Sequence, residues 1–154
     1  MRTGSIGGPM KIIIEDIKEG EEEAIIVRCH ELDDALLQMI YGIKMQQSKL
    51  VGFDKGKMHM VTPSEVYYFE AVDNRIFIYC KNQVFESKLK LYEIEKLYEH
   101  TDYFRASKSV ILNLTKIKYL NPAFSGRFEA LLDNGEKVII SRQFVPELKN
   151  KLGL

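Results

Sequence analysis

Short apolar runs separated by turn-forming residues fill the chain from residue 50 onward, and this pattern predicts a mainly β structure. The runs are rich in β-branched and aromatic residues and read KLVGFD, KMHMV, VYYFEAV, RIFIYC, QVFESK, YFRAS, SVILNL, IKYLN, FEALLD and KVIIS. Asp73-Asn74 and Asn134-Gly135 each lie between two runs, and the Asn-Gly pair is a strong signal for a two-residue hairpin turn. Short strands joined by such turns are typical of antiparallel sheets.

Two short helices are predicted to interrupt these strands. The first follows Ser87, and the second lies near the end of the chain, where Pro146 is tolerated only in the first helical turn. The apolar residues that recur at helical spacing are Leu91, Ile94 and Tyr98 in the first helix, and Phe144, Leu148 and Leu152 in the second. Each helix therefore has one face that we expect to pack on a sheet.

Residues 10–49 show a different pattern, which predicts a small ββα segment. KIIIEDI (Lys11–Ile17) and AIIVRC (Ala24–Cys29) flank the acidic, Gly-containing KEGEEE, which suggests a hairpin. A helix should follow Asp33, its N-cap, with an apolar face formed by Leu36, Leu37, Ile40, Tyr41 and Ile43. The segment is too small to fold alone, so this face should pack on residues 50–154 or on a second copy, giving a dimerisation or regulatory piece.

Residues 1–9, MRTGSIGGP, are small and Gly-rich, and we expect them to be a remnant of cloning that takes no part in the fold. The fold class predicted for the whole chain is therefore mainly β, with small antiparallel sheets and short helices in residues 50–154, preceded by the ββα segment.

Charge is balanced over the whole chain but not along it. The chain of 154 residues holds 22 basic and 22 acidic residues, yet residues 1–50 carry a net charge of −3 and residues 51–154 a net charge of +3. The second part is therefore the better candidate to bind a polyanion.

Cys29 and Cys80 lie inside apolar runs without CxxC spacing, which favours reduced core cysteines in a cytoplasmic protein. No apolar stretch approaches the roughly 20 residues that cross a bilayer.

Signatures of catalysis and of cofactor or metal binding are missing from the sequence, so we predict neither an enzyme nor a bound cofactor or metal. The chain has no GxGxxG, P-loop, GxSxG or HExxH motif, and its three histidines are far apart. Glu15-Asp16 after KIII resembles the acidic pair of response-regulator receiver domains. The segment before Leu50 is too short for that doubly wound fold, so an acidic hairpin turn is the better interpretation.

Three groups of polar residues remain, each next to a strand end. They are Asn74 and Arg75, then Ser107 and Lys108, and finally Arg142 and Gln143. Hydroxyl, amide and cationic side chains suit phosphate oxygens and base edges, with Arg or Lys pairing with guanine and Asn or Gln with adenine. Taken singly, each residue also fits a local role, as a turn residue, a neighbour of a helix cap or a solvated cation.

Four strings of the chain together resemble the LytTR family of DNA-binding domains. VYYFEAVDNRIFIYC, SKLKLYEIEKL, YFRASKSVILNLTKIKYL and DNGEKVIISRQFVPELK are similar to that family in content, order and spacing, over about the last two thirds of the chain. The most specific piece is F-R-x-x-K-S-x-x-x-N, from Phe104 to Asn113, where the family commonly shows F-x-R-x-H-[RK]-S-[YF]-x-V-N. Three departures are Ser107, where the family usually has His, Ala106, where a β-branched or polar residue is more usual, and Gln143, where Arg is frequent.

This resemblance implies both a fold and a function. The fold is an elongated arrangement of small antiparallel sheets with short helices, and loops between strands, not a recognition helix, enter successive major grooves of promoter DNA. Carried over residue by residue, the DNA-binding residues are Asn74, Arg75, Ser107, Lys108, Arg142 and Gln143. LytTR domains most often follow a receiver domain. This chain resembles the stand-alone regulators encoded beside a small membrane protein that restrains them, and a homodimer on two half-sites is expected.

One alternative is a protein-interaction module on the same β scaffold that does not bind DNA. It would use an open sheet edge or the acidic first fifty residues, and the neutral net charge is consistent with it. A continuous basic surface joining Arg75, Lys108 and Arg142 would favour DNA, whereas scattered cations beside an apolar groove would favour a protein partner.

Overall fold

The computed structural model describes residues 10–47 and 50–154, so the predicted cloning remnant at residues 1–9 lies outside the described residues. The described α-helices are α1 (Asp34–Gln47), α2 (Leu91–Leu97) and α3 (Val145–Lys151). The described strands are β1 (Leu50–Asp54), β2 (Lys57–Val61), β3 (Val66–Val72), β4 (Arg75–Cys80), β5 (Val84–Ser87), β6 (Tyr103–Arg105), β7 (Val110–Asn113), β8 (Ile117–Pro122), β9 (Phe128–Leu132) and β10 (Lys137–Ile140). Each predicted apolar run from residue 50 onward contains one of these strands, which confirms the mainly β prediction.

A seven-stranded sheet in the order β2-β1-β5-β4-β3-β7-β6 forms the larger layer, and all its pairings are antiparallel. The β3–β4 hairpin closes through Asp73 and Asn74, which both have positive φ, at 49° and 64°. A two-residue turn needs this left-handed backbone to match the twist of its strands, and Asp and Asn tolerate it. The sequence prediction of this turn is confirmed.

A three-stranded sheet in the order β10-β9-β8 forms the smaller layer. Its β9–β10 hairpin contains the predicted Asn134-Gly135, but Leu132 N donates to Glu136 O at 2.8 Å, so the loop has three residues. Gly135 has a φ of 91°. This geometry is a type I turn closed by a left-handed glycine. The prediction of a hairpin is confirmed, and the prediction of a two-residue turn is wrong.

Two apolar cores lie on opposite faces of the central strands. Phe69, Ile111 and Tyr103 pack in one core with α2, whereas Tyr67, Leu112 and Phe104 pack in the other with the three-stranded sheet and α3. Alternate residues of β6 and β7 therefore serve two cores, as strand geometry requires for a sheet covered on both faces. In β3, the irregularity between Val66 and Tyr68 places Tyr67 and Phe69 in different cores. This double burial fixes the register of the strands that lead into the candidate site.

The helices of residues 50–154 follow their predicted faces with one exception. Leu91, Ile94 and Tyr98 are buried in the first core, and Leu148 is buried in the second. Leu152 lies beyond the end of α3 and is 44 % exposed, so its predicted burial is wrong. The pattern fails there because the helix stops one residue earlier, where the chain turns.

The predicted N-terminal hairpin is wrong as a pair of strands. Lys11–Ile17 and Ala24–Cys29 contain no strand and are exposed throughout, although a turn with a hydrogen bond from Glu21 N to Lys18 O separates them. An isolated two-stranded hairpin has too little to bury to be stable alone. The described residues before Gln38 form a compact unit distinct from Gln38–Leu154.

The helix prediction in this segment is confirmed, including its start. Leu36 N donates to the Asp33 carboxylate at 2.8 Å, which makes Asp33 the N-cap.

The two cysteine predictions differ in outcome. Both cysteines are free, but Cys29 is exposed and therefore no core residue, while burial raises the pKa of the half-buried Cys80 thiol to about 11.

Candidate nucleic-acid interface

The first candidate group lies at the tip of the β3–β4 hairpin. Asn74 and Arg75 are both exposed. Arg75 does not extend freely, because Nη2 and Nε donate to the two carboxylate oxygens of Glu86 on β5 at 2.7 and 3.2 Å. This hydrogen bonding raises the pKa of Arg75 and lowers the pKa of Glu86. Arg75 therefore carries its charge beside a compensating carboxylate, a pairing that the sequence alone did not indicate.

The second group lies in the loop from β6 to β7, which its own hydrogen bonds hold in shape. Ser109 N donates to Ser107 Oγ at 3.2 Å, so Ser107 is half-buried and forms part of the turn. Arg105 Nη1 donates to the carbonyl oxygen of Lys108 at 2.8 Å, and its Nη2 reaches Glu95 of α2 at 3.0 Å. Arg105 binds the main chain of Lys108 and not its side chain, which is exposed at the tip of the loop.

The third group follows β10 in the short turn Arg142–Phe144, which leads into α3. Arg142 and Gln143 are exposed. The aliphatic part of Arg142 lies over Gly126, where an added Cβ would come within 2.9 Å of Arg142 Cδ. Gly126 also has a φ of 75°, so the glycine provides both the backbone conformation and the space for the arginine stem. The β8–β9 loop thus supports Arg142, a role that the sequence did not reveal.

Two main-chain hydrogen bonds hold the three groups at one end of the framework. Ala71 N, near the tip of the β3–β4 hairpin, donates to Ser109 O at 2.8 Å. Ser141 N donates to Ala106 O at 2.8 Å, which joins the end of β10 to the same loop. The β6–β7 loop therefore lies between the other two groups and is bonded to the main chain beside each of them.

A groove runs along part of this end, and most of its charged side chains are basic. Its basic residues are Arg75, Lys88, Lys90, Arg105 and Lys108, and its acidic residues are Asp73 and Glu86. Asn74 lines it as well, whereas Ser107, Arg142 and Gln143 do not. Sequence reasoning missed Lys88, Lys90 and Arg105. The sequence shows the two lysines alternating in SKLK and the arginine in FRASK. Only the fold shows that the three side chains line one groove.

In the part of the chain that the structure describes, no group of three or more His, Cys, Asp or Glu side chains could hold a metal ion. None of the helices described is long and apolar enough to cross a membrane.

Comparison with known proteins places this geometry in a family. The family model of the LytTr DNA-binding domain matches residues 56–153, which is more than half of the chain. The chain therefore belongs to the LytTR DNA-binding domain family, and the resemblance of the four strings is confirmed. The family is a class of DNA-binding domains and not a class of enzymes.

A solved structure and two curated relatives agree with this assignment. The LytTr DNA-binding domain of a Bacillus cereus protein superposes with a TM-score of 0.65 at 27% identity, over 70% of this chain and 98% of that one. The sensory transduction protein LytT of Enterococcus faecalis is 33% identical over 73% of this chain. The match covers 46% of LytT, so this chain spans less than half the length of that relative. An uncharacterized HTH-type transcriptional regulator of Staphylococcus aureus is 28% identical over 90% of this chain and 95% of its own length.

Proposed function

We propose that this chain is a sequence-specific regulator of transcription that places the loops of its β framework in the major groove of promoter DNA. The observation that carries the proposal is the joining of three polar loop groups by the Ala71–Ser109 and Ser141–Ala106 hydrogen bonds, beside a groove lined by five cations. Phosphate contacts position a protein on a duplex, and side chains that reach base edges give it specificity. Both kinds of side chain occur at this end of the molecule.

Each candidate residue has a role that follows from its chemistry. The amides of Asn74 and Gln143 suit adenine edges, and the guanidinium of Arg142 suits guanine. Lys108 is suited to phosphate as a flexible point charge. Ser107 is already engaged in its turn, so we assign it to shaping the loop, with its hydroxyl hydrogen directed to a phosphate. Arg75 reaches a phosphate only in competition with Glu86.

The nature of the groove favours DNA over the alternative of a protein-interaction module. An apolar groove would suit a peptide. This groove is lined by five basic, two acidic and five apolar residues, so its charge is mainly basic; it joins Arg75 to Lys108, and Arg142 lies outside it. A surplus of cations near exposed polar tips attracts a polyanion and makes its binding salt-dependent.

Selection from a randomised duplex library, followed by titration, tests the proposed function. We expect one sequence to be enriched and to bind far more tightly than a shuffled duplex of the same composition. Affinity should fall steeply between about 50 and 200 mM salt, because phosphate contacts release counterions. If no sequence is enriched, or if the shuffled duplex binds equally well, the proposal is wrong.

The proposal includes two partners, a second copy of the chain and a small membrane protein. A single small module buries little surface on DNA, so a homodimer on two half-sites would bind more tightly. A small membrane protein encoded nearby, as the restraining partner, stays a prediction from the resemblance to stand-alone LytTR regulators.

Replacing Glu86 by Gln should strengthen DNA binding. The substitution removes a carboxylate from the groove and frees Arg75, whose Nη2 now lies 2.7 Å from Glu86 Oε1. We expect affinity to rise roughly threefold to tenfold at 100 mM salt and the salt dependence to increase by about one phosphate contact.

A matched control for Glu86→Gln is Glu65→Gln. Glu65 is exposed and precedes β3, at the opposite end of that strand from the Asp73-Asn74 turn, so its loss should leave affinity unchanged. Weaker binding by Glu86→Gln would show instead that the carboxylate positions Arg75 for its contact.

A further inference from the structure

The segment before α1 contains two apolar runs whose side chains are exposed. Ile12, Ile13 and Ile14 are 86%, 66% and 91% exposed, and Ile25 and Ile26 are 66% and 78% exposed. Scattered apolar side chains on a surface are ordinary, but contiguous apolar patches on soluble proteins mark interaction sites. β-Branched runs of this kind are also strong strand formers.

Charge opposes the pairing of the two runs with each other, in addition to the small surface that an isolated hairpin buries. The turn from Lys18 to Glu21 sets the register of a hairpin, because Glu21 N donates to Lys18 O. In that register three apolar pairs, from Ile12–Val27 to Ile14–Ile25, are flanked by two like-charge pairs, because Lys11 faces Arg28 and Asp16 faces Glu23. Like charges directly opposite one another destabilise a strand pair. The structure has the turn without the ladder.

Pairing with a second copy reverses this charge pattern for the first run. When two copies of KIIIE run antiparallel about Ile13, Lys11 of each copy faces Glu15 of the other, and Ile12 faces Ile14. Asp16 then faces Met10, so no like charges are opposed. Such a self-complementary arrangement is what a two-fold symmetric interface requires.

The face of α1 is a weaker candidate for self-association. Leu36 is 4% exposed, and Leu37, Ile40 and Ile43 are half-buried, so this face is already largely covered. The run Lys11–Glu15, in contrast, is exposed at every position.

We propose that Lys11–Glu15 is the self-association site of this protein and pairs antiparallel with the same residues of a second copy, held in register by two Lys11–Glu15 ion pairs. The inference supplies the interface of the homodimer in the proposed function. A pairing of this size gives a weak dimer, which two half-sites on one duplex would reinforce.

Sedimentation velocity of the full chain without DNA tests the register through charge reversal. Lys11→Glu and Glu15→Lys should each weaken the dimer roughly tenfold, because each places like charges opposite one another twice. The double variant Lys11→Glu/Glu15→Lys should restore wild-type association. An equimolar mixture of the two single variants should form heterodimers, because one then carries two carboxylates and the other two ammonium groups at the paired positions.

Controls separate this result from general charge effects and from misfolding. The changed side chains are exposed, so the circular dichroism spectrum should stay that of the wild type. Lys18→Glu and Glu22→Lys lie outside the paired residues and should leave the dimer unchanged. A wild type that stays monomeric at high concentration, or a double variant that is not restored, overturns the inference. A monomer that still selects a DNA sequence would overturn it and leave the proposed function standing.

Discussion

Lys108→Ala combined with Arg142→Ala is expected to weaken binding of the selected duplex about 100-fold, with roughly a tenfold loss from each single variant. Lys108 is the exposed tip of the β6–β7 loop, and Arg142 is exposed after β10. Loss of either side chain removes a cation without disturbing the hydrogen bonds that hold the loops, because Arg105 binds the Lys108 carbonyl and Ser141 N binds the Ala106 carbonyl. Fluorescence anisotropy at fixed salt measures the loss.

A second change at Arg142 identifies what it contacts. Arg142→Lys keeps the charge and an aliphatic stem over Gly126 but loses the planar fork that binds guanine through two hydrogen bonds. If Arg142 reads guanine, Arg142→Lys should lose discrimination between the selected duplex and one altered at that base. If Arg142 contacts phosphate, discrimination should remain.

The matched control for the double variant is Lys57→Ala combined with Lys81→Ala. Both lysines are exposed, and both lie at the end of the seven-stranded sheet opposite to the Asp73-Asn74 turn. The control removes the same net charge and should change affinity less than about threefold. Equal losses in the two double variants would mean that overall charge, and not this surface, binds the duplex.

Asn113→Ala should destabilise the fold by about 2–4 kcal/mol, because it removes the hydrogen bonds that a buried amide makes to two main-chain groups. The side chain is 2% exposed; Nδ2 donates to Val66 O at 2.8 Å, and Oδ1 accepts from Thr115 N at 3.0 Å. The Val66 carbonyl borders an irregularity in the β3–β4 pairing, so the amide completes bonding that the ladder interrupts. Urea denaturation should show the loss as a lower midpoint.

The same variant separates a structural role from a role in DNA binding. Asn113 belongs to the most specific string of the family resemblance, yet it lies in the interior and cannot touch DNA. Well below its unfolding transition, Asn113→Ala should therefore bind the selected duplex nearly as the wild type does. Asn121→Ala, an exposed amide on β8, should leave stability within about 0.5 kcal/mol. Lost binding with unchanged stability would contradict this assignment.

The six candidate residues were found from the sequence because each lies where a short-range pattern ends. Asn74 was placed by the turn signal, and Lys108 and Arg142 by the polar interruptions between apolar runs. Their surroundings were not predictable in this way. Three features depend on which strands lie side by side: the Arg75–Glu86 ion pair, the hydrogen bond from Arg105 to the Lys108 carbonyl, and the groove that Arg75, Lys88 and Lys108 line together.

The N-terminal segment shows the limit of local patterns most clearly. The run KIII could pair with Ala24–Cys29 or with the same run of a second copy, and the pattern alone does not decide between them. Its β-branched composition predicts a strand, but a strand needs a partner, and the register set by the Lys18–Glu21 turn opposes like charges. The helix after Asp33 was predictable because its cap and its spacing are contained within the helix itself.

By itself, the sequence determined the strands from residue 50 onward, the helix faces and the left-handed turn at Asp73-Asn74, since these depend on neighbours a few residues apart. Tertiary structure alone decided that three loops distant in the chain meet, through the hydrogen bonds from Ala71 to Ser109 and from Ser141 to Ala106. The physical reason is that main-chain donors and acceptors have the same chemistry at every residue. Only the packing of two cores on the central strands selects which of them come within bonding distance.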